Sequence, residues 1–169
     1  MKTFDISQAQ AALDELTSLL DISFGPGRFA RTAERLRENN QAVADYAHAA
    51  RTGAGHLVGT ISYWPIAIGK DIGLLLGPLA VHPDMQGQGV GQALMRASLQ
   101  IINADRYAFV LLVGDLPYYE KTGFGIAPDA VAMPGPVDAK RLLLRPTDSR
   151  HATLCSALAG KVRPAPEMC

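Results

Sequence analysis

The sequence predicts an α/β fold: one domain spanning residues 1–169, built on a mixed, mostly antiparallel twisted sheet of about six or seven strands flanked by about four helices. Three observations carry this. Apolar runs with the length and patterning of strands interleave with segments of helical period. Two early strand-like runs, "ADYAHAAR" and "HLVGTISYWPI", are separated by "TGAG", which supplies the glycines of a hairpin loop. Further on, "IGLLLGPLAV" leads through a glycine-rich bend into an amphipathic stretch and then a second buried run, "YAFVLLVG", the order of a strand–helix–strand crossover.

"KTFDI" reads as a short first strand, and from Gln8 the apolar residues Ala12, Leu13, Leu16, Leu19 and Leu20 recur at helical spacing. "FGPGRF" breaks that helix, since glycine and proline are poor in helix interiors. A charged second helix follows through "ARTAERLREN" and ends at Asn39–Asn40, its arginines forming a solvated face. "IGLLLGPLAV" is apolar almost throughout, which implies a strand buried on both faces. The helix over 90–102 presents Val90, Leu94, Ala97 and Ile101 on one stripe. "LPYYEKTGF" reads as a short helix ended by Gly123 in the left-handed position. "GFGIAPDAVAMPG" and "KRLLLRPT" are strands around a Pro/Gly-rich loop, residues 151–160 a short helix, and 160–169 a loose tail.

Composition narrows the function classes. Sixteen basic and sixteen acidic residues cancel, so the basic footprint of a nucleic-acid binder is missing. Cys155 and Cys169 have neither CxxC nor metal-ligand spacing and read as free thiols of a reducing compartment. "MKTFDISQAQ" lacks the apolar core of a secretory signal, and the longest apolar run is far short of the roughly 20 residues that span a bilayer. The expectation is a soluble cytoplasmic protein with no metal, no membrane and no nucleic-acid partner.

The bend "QGQGVG", residues 86–91, carries the functional signal. A helix N-terminus leaves about four backbone N–H groups without partners and bears partial positive charge, a ready anion site if the anion can approach the main chain. Glycines at 87, 89 and 91 remove the Cβ atoms that would block that approach; a tight turn with close packing is the plainer use of the same residues. Two phosphate motifs fail on particular residues. A Walker A loop needs Gly-Lys-Ser/Thr where Gly91 is followed by Gln92-Ala93. A dinucleotide fingerprint needs a glycine where Gln92 stands, and Asp105 precedes its strand instead of ending one.

"LAVHPDMQGQGVGQAL" resembles the acetyl-CoA signature of the GNAT N-acetyltransferase superfamily: a strand, then Val-x-Pro, then Gln/Arg-x-x-Gly-x-Gly/Ala opening a helix. Val81-His82-Pro83 and Gln86 to Gly91 match without gaps, and "YYEKTGF" (118–124) resembles the family's second motif on the expected element. "FGPGRF", "LLVGDLPYYEKTGF" and "MPGPVD" further suggest an uncharacterised bacterial branch of predicted N-acetyltransferases. The resemblance implies a sheet splayed between its two central strands, with acetyl-CoA as acyl donor. In that picture the loop residues Gln86, Gly87, Gln88, Gly89, Val90, Gly91 and Gln92 bind the cofactor, the amides from Gln88 to Gln92 holding its pyrophosphate. The strand end Leu79, Ala80 and Val81 pairs with the pantetheine arm. Gly77-Pro78 offers a cause for the splay, since proline gives no N–H to a ladder, although a bulge on an edge strand would use the same dipeptide. The resemblance also implies a homodimer formed through late strands.

Tyr119 occupies the family position of the tyrosine that faces the CoA sulfur and is the candidate general acid; a packed core tyrosine is the alternative. Leu79 or Ala80 would supply a backbone N–H to a developing oxyanion. Asp115 stands where many relatives carry asparagine. The general base is not readable: "LLLGPLAV" holds no Asp or Glu, and Asp71 and His82 are only neighbours in sequence. Trp64, Tyr63 and the "FGPGR" loop are candidates for the acceptor side. The expected activity is acetyl transfer from the CoA thioester to a primary amine of a small molecule or protein. A non-catalytic acyl-CoA sensor of the same fold is the alternative, and an NAD(P)-binding oxidoreductase a remote third.

Overall fold

Among the residues described by the structure, a computed structural model covering 3–169, nine strands and four α-helices occur. Their order along the sheet is β1-β2-β3-β4-β5-β8-β6, with β9 beside β3 and β7 beside β9. The chain divides into two compact units, one made of residues up to Ala30, Val43–Tyr63 and Gly77–Ile101, the other of Arg31–Ala42, Trp64–Leu76 and Ile102–Cys169.

In the first unit, β1 (Phe4–Gln8) pairs antiparallel with β2 (His48–Thr52) from Phe4↔Thr52 to Gln8↔His48. β2 pairs with β3 (Leu57–Ile68) across the "TGAG" loop, with a register shift at Ala50/Arg51. α1 (Leu13–Phe24) buries Leu19 and Leu20 against Ala80, and Arg51 of β2 reaches Glu15 through both guanidinium nitrogens at 2.8 and 2.7 Å. α2 (Val90–Leu99) lies so close to β3 that a Cβ on Gly59 would stand 2.7 Å from Val90 Cγ1 and 3.0 Å from Leu94 Cδ1. A glycine inside a strand marks such a close approach. Tyr63 and Ser98, both fully buried, share a 2.7 Å hydroxyl–hydroxyl bond that anchors the far end of α2.

In the second unit, the Asp71–Leu76 part of β4 (Asp71–Val81) runs parallel to β5 (Phe109–Val113) over three registered pairs, Gly73↔Phe109 to Leu75↔Leu111. Gly73 has no Cβ because the Phe109 ring occupies that place. Both strands are buried on both faces, as the apolar runs predict for a central parallel pair. β8 (Leu142–Pro146) pairs antiparallel with β5 from Phe109↔Pro146 to Val113↔Leu142. The two-residue strands β6 (Gly125–Ile126) and β7 (Val131–Ala132) add short bridges. Period-2 residues Ile66, Ile68, Leu75, Phe109, Leu111, Leu142 and Leu144 form one core face, onto which Cys155 of α4 (Ala152–Ser156) and Leu158 pack.

Four expectations are corrected. The charged segment expected to be a second helix holds only a 3₁₀ turn, Thr32–Leu36, in which Thr32 Oγ1 donates to Pro136 O and Arg35 Nη1 to Pro134 O. Arg37 there is largely buried against Glu34 and leaves the expected solvated face, whereas Arg31 and Arg35 are exposed. α2 ends at Leu99, and its inward stripe is Val90, Gly91, Leu94, Met95, Ser98 and Leu99; Ile101 lies beyond it, 40% exposed. The segment read as a loose tail contains β9 (Gly160–Pro164), antiparallel to β3 from Ile66↔Pro164 to Ile68↔Val162 and parallel to β7. Arg106 and Tyr107 hold the residues after it by donating to Met168 O at 2.8 and 2.6 Å.

Candidate active site

The strand end Leu79–Val81 and the glycine bend belong to the first unit and are tied together by their own side chains. Leu79 and Val81 are half-buried and Ala80 is buried on α1. Val81 O accepts from Ser23 Oγ at 3.3 Å and from Gln86 Nε2 at 3.4 Å, while His82 N–H donates to Val58 O at 2.9 Å. The turn Pro83–Met85 follows, with His82 Nδ1 accepting from the Asp84 amide at 3.2 Å and Met85 plugged into the core. His82 is thus a turn-capping residue.

From Met85 the chain bends through two left-handed glycines, Gly87 at φ 73° and Gly89 at φ 83°. The left-handed conformation costs an L-residue roughly 1–2 kcal/mol, which is why glycine stands at both places. Gly89 is the N-cap of α2, and Ala93 N–H is bonded to its carbonyl at 2.9 Å. The amides of Val90 and Gly91 precede that first i→i−4 bond and have no acceptor within the helix. A Cβ built on Gly87 or Gly89 would meet no atom within 4 Å, so no neighbouring side chain fills the space above the bend. Gln88 Nε2 donates to Asp84 O at 2.9 Å, closing the loop from within. Gln86 is exposed, Gln88 and Gln92 are half-buried, and Val90 and Gly91 are buried and seat the helix. Helix N-terminal amides beside bare glycine Cα atoms are the kind of main-chain arrangement that attracts anions.

Tyr119 belongs to the second unit. β5 runs out at Gly114, and α3 (Leu116–Tyr119) starts from Asp115, whose carbonyl accepts from the amides of Tyr118 at 3.0 Å and Tyr119 at 3.3 Å. A 3₁₀ turn then ends at Gly123, left-handed at φ 87° as the sequence predicts. The Tyr119 ring stands edge-on to Tyr118 and Phe124, at centroid distances of 5.0 and 6.0 Å. Its hydroxyl makes no hydrogen bond among the described residues. Burial, with smaller contributions from Tyr118 and Asp115, pushes the phenol up to about 12, partly countered by Arg141. The group is therefore a protonated donor at any physiological pH. Asp115 pairs with Arg141 Nε at 3.1 Å.

Residues 39–126, just over half of the chain, match the model of the acetyltransferase (GNAT) domain. The chain belongs to the GNAT acetyltransferase family. It is accordingly an acyltransferase of the N-acetyltransferase type. YhbS, an uncharacterized N-acetyltransferase of Escherichia coli strain K12, is 29% identical to this GNAT protein over 114 residues, 66% of this chain and 67% of its own. The crystal structure of the E. coli protein in complex with CoA matches the fold with a TM-score of 0.77 at 21% identity, over 98% of this chain and 91% of that one. A GNAT-family acetyltransferase from Brucella melitensis in complex with acetyl-CoA shares the fold with a TM-score of 0.58 at 24% identity, over 85% of this chain and 96% of that one. The mixed, open α/β sheet matches the fold of this family. No helix among the described residues is long and apolar enough to cross a membrane.

The three acceptor-side expectations fare differently. Tyr63 is fully buried and bonded to Ser98, so it is a core residue of this GNAT fold and lines no surface. Trp64 is half-buried at the rim of the second unit's core. In the "FGPGR" loop, Arg28 is held by Asp21 at 3.0 Å and lies 4.0 Å over the Phe29 ring. Gly59 and Ser23 shape the bend and strand end of the first unit, and Gly114 the seat of Tyr119 in the second, without belonging to either motif. Gly59 and Gly114 could be found in the sequence as glycines placed inside or at the end of a strand; Ser23 leaves no such signal.

Proposed function

We propose that this protein transfers the acetyl group of acetyl-CoA to a primary amine of a small molecule or protein, as a single cytoplasmic domain. The observation that carries the reading is the open, left-handed Gly87–Gly89 bend at the head of α2. The relatives' complexes with CoA and acetyl-CoA point to the same donor.

Acetyl-CoA supplies an activated thioester. The chain's residues would do four things around it. Amides of the 87–92 bend would hold the diphosphate, the stretch from His82 to Met95 itself carrying no Lys or Arg. The main chain of Leu79–Val81 would pair with the pantetheine amides, with Ser23 and Gln86 fixing the Val81 carbonyl. The backbone N–H of Leu79 or Ala80 would stabilise negative charge on the acetyl oxygen. Tyr119 would donate its phenolic proton to the departing thiolate; its hydroxyl is uncommitted, and burial keeps it protonated. The amine arrives neutral or loses its proton to water, since no residue here is assigned as base.

Thermal-shift measurements with CoA, acetyl-CoA and NAD(P), followed by an amine panel read by free thiol, test this. The reading expects stabilisation by the two CoA ligands alone and thiol release with at least one amine. Stabilisation by NAD(P) alone contradicts it, and CoA binding with no turnover across the panel favours the sensor alternative.

A further inference from the structure

We propose that Gly114 and Arg141 are positioning residues that set where the Tyr119 hydroxyl lies, an inference that rests on reading Tyr119 as the proton donor. The hydroxyl has no hydrogen bond among the described residues to hold it, so its place is decided by how the ring packs and how α3 is hung. Both lead to the same two residues.

The ring rests on a glycine. A Cβ added to Gly114 would overlap Tyr119 Cε2 and stand 3.0 Å from Cδ2 and 3.2 Å from Leu112 Cδ1. Gly114 has no positive φ, so nothing in the backbone asks for glycine at this position. The aromatic ring is what excludes a side chain. Tyr118 and Phe124 close on the ring edge-on and leave Gly114 as its floor.

The floor is clasped by Arg141. The Gly114 N–H donates to Arg141 O at 2.9 Å, one step beyond the Val113↔Leu142 end of the β5–β8 ladder. The same arginine sends Nε to Asp115 Oδ1 at 3.1 Å. Asp115 is the residue whose carbonyl receives both the Tyr118 and Tyr119 amides. One residue from the turn Ala139–Arg141 that leads into β8 therefore holds both the ring's floor and the start of its helix. Arg141 lies outside the motifs and outside the family-matched stretch 39–126. Its charge and that of Asp115 act on the phenol in opposite senses, Asp115 disfavouring ionisation and Arg141 favouring it.

The test uses the full chain labelled with 3-fluorotyrosine and read by ¹⁹F NMR without any ligand. Fluorination lowers a phenol's pKa and brings its titration into a workable range; loss of one line in Tyr119→Phe assigns the resonance. The expected results are a displaced Tyr119 line in Gly114→Ala, a higher titration midpoint in Arg141→Gln and a lower one in Asp115→Asn. A residue with a merely structural role would not move the midpoint in opposite directions. An unmoved line in Gly114→Ala, or midpoints that do not move oppositely, overturns the proposal. If Gly114→Ala does not fold, the line position in Arg141→Gln decides: a displaced Tyr119 line is expected from loss of the 3.1 Å hold on Asp115, and an unmoved one overturns the proposal. A Tyr119→Phe protein with undiminished turnover would instead overturn the donor reading, and leaves these placement results to be judged separately.

Discussion

Val90 Cγ1 stands 2.7 Å from the point a Cβ on Gly59 would occupy, so the first residue of α2 is seated directly on the main chain of β3. That contact sets the height of the helix N-terminus above the sheet, and with it the amides of the glycine bend. Gly59→Ala is expected to cost about 1–3 kcal/mol through overpacking, a fall in Tm of roughly 2–12 °C. It should also weaken acetyl-CoA binding, because the Cβ displaces Val90 and Leu94 together. Calorimetric unfolding and titration on the same preparation check both effects.

Gly87→Ala and Gly89→Ala separate backbone strain from blocked approach. Each forces an L-residue into positive φ at a cost of roughly 1–2 kcal/mol, with open space around the new Cβ. Modest destabilisation and a larger loss of acetyl-CoA affinity, on the order of tenfold or more, are expected. Equal losses in unfolding and binding energy would show strain alone.

Tyr119→Phe should lower kcat by about 10²-fold or more while the Kd for acetyl-CoA stays nearly unchanged. The phenol's folded pKa of about 12 lies above the ordinary 10. The protonated donor therefore persists up to strongly alkaline pH, and kcat should show no alkaline loss from this group below pH ~10. The linked stability has the same sign: present in full below pH ~10 and lost as pH rises through the folded value. A pH–rate profile and alkaline melts check this.

Much of this was legible because the chemistry sits in local patterns. The bend needs positive φ and bare Cα atoms, which only glycine supplies, and Gly123 ends its helix for the same reason. The double burial of β4 and β5 shows in their unbroken apolar runs. What sequence reasoning missed depends on distant partners. The segment 31–40 has helical period, yet Thr32 and Arg35 spend their side chains on carbonyls of Pro136 and Pro134, about a hundred residues away. The run "GKVRP" has too few apolar residues to announce a strand, and β9 forms because β3 and β7 each offer it an edge. Tyr63 resembles a strand-end aromatic until Ser98, a helix apart, supplies its hydroxyl with a partner.

The Tyr63–Ser98 bond is expected to be worth more when broken from one side than from both. Ser98→Ala removes the hydroxyl that the buried Tyr63 phenol bonds and should cost about 1–3 kcal/mol. The double variant with Tyr63→Phe should cost less than the sum of the two singles. Chemical denaturation of the four proteins measures the coupling.

Cys155 is buried, and desolvation followed by Asp71 pushes its thiol up to about 11, so almost no thiolate exists near neutral pH. Cys169 is exposed. A thiol reagent should label one cysteine in the folded protein and the second only on unfolding. Rapid labelling of both would contradict the packing of α4.

Calorimetric titration of acetyl-CoA into wild-type protein and Gly89→Val is the most direct measurement of the diphosphate grip. Binding of one acetyl-CoA per chain by the wild type is expected, weakened at least about tenfold in a variant that still melts cooperatively. No heat of binding in the wild type, or equal affinity in the two proteins, would contradict the assignment of the bend.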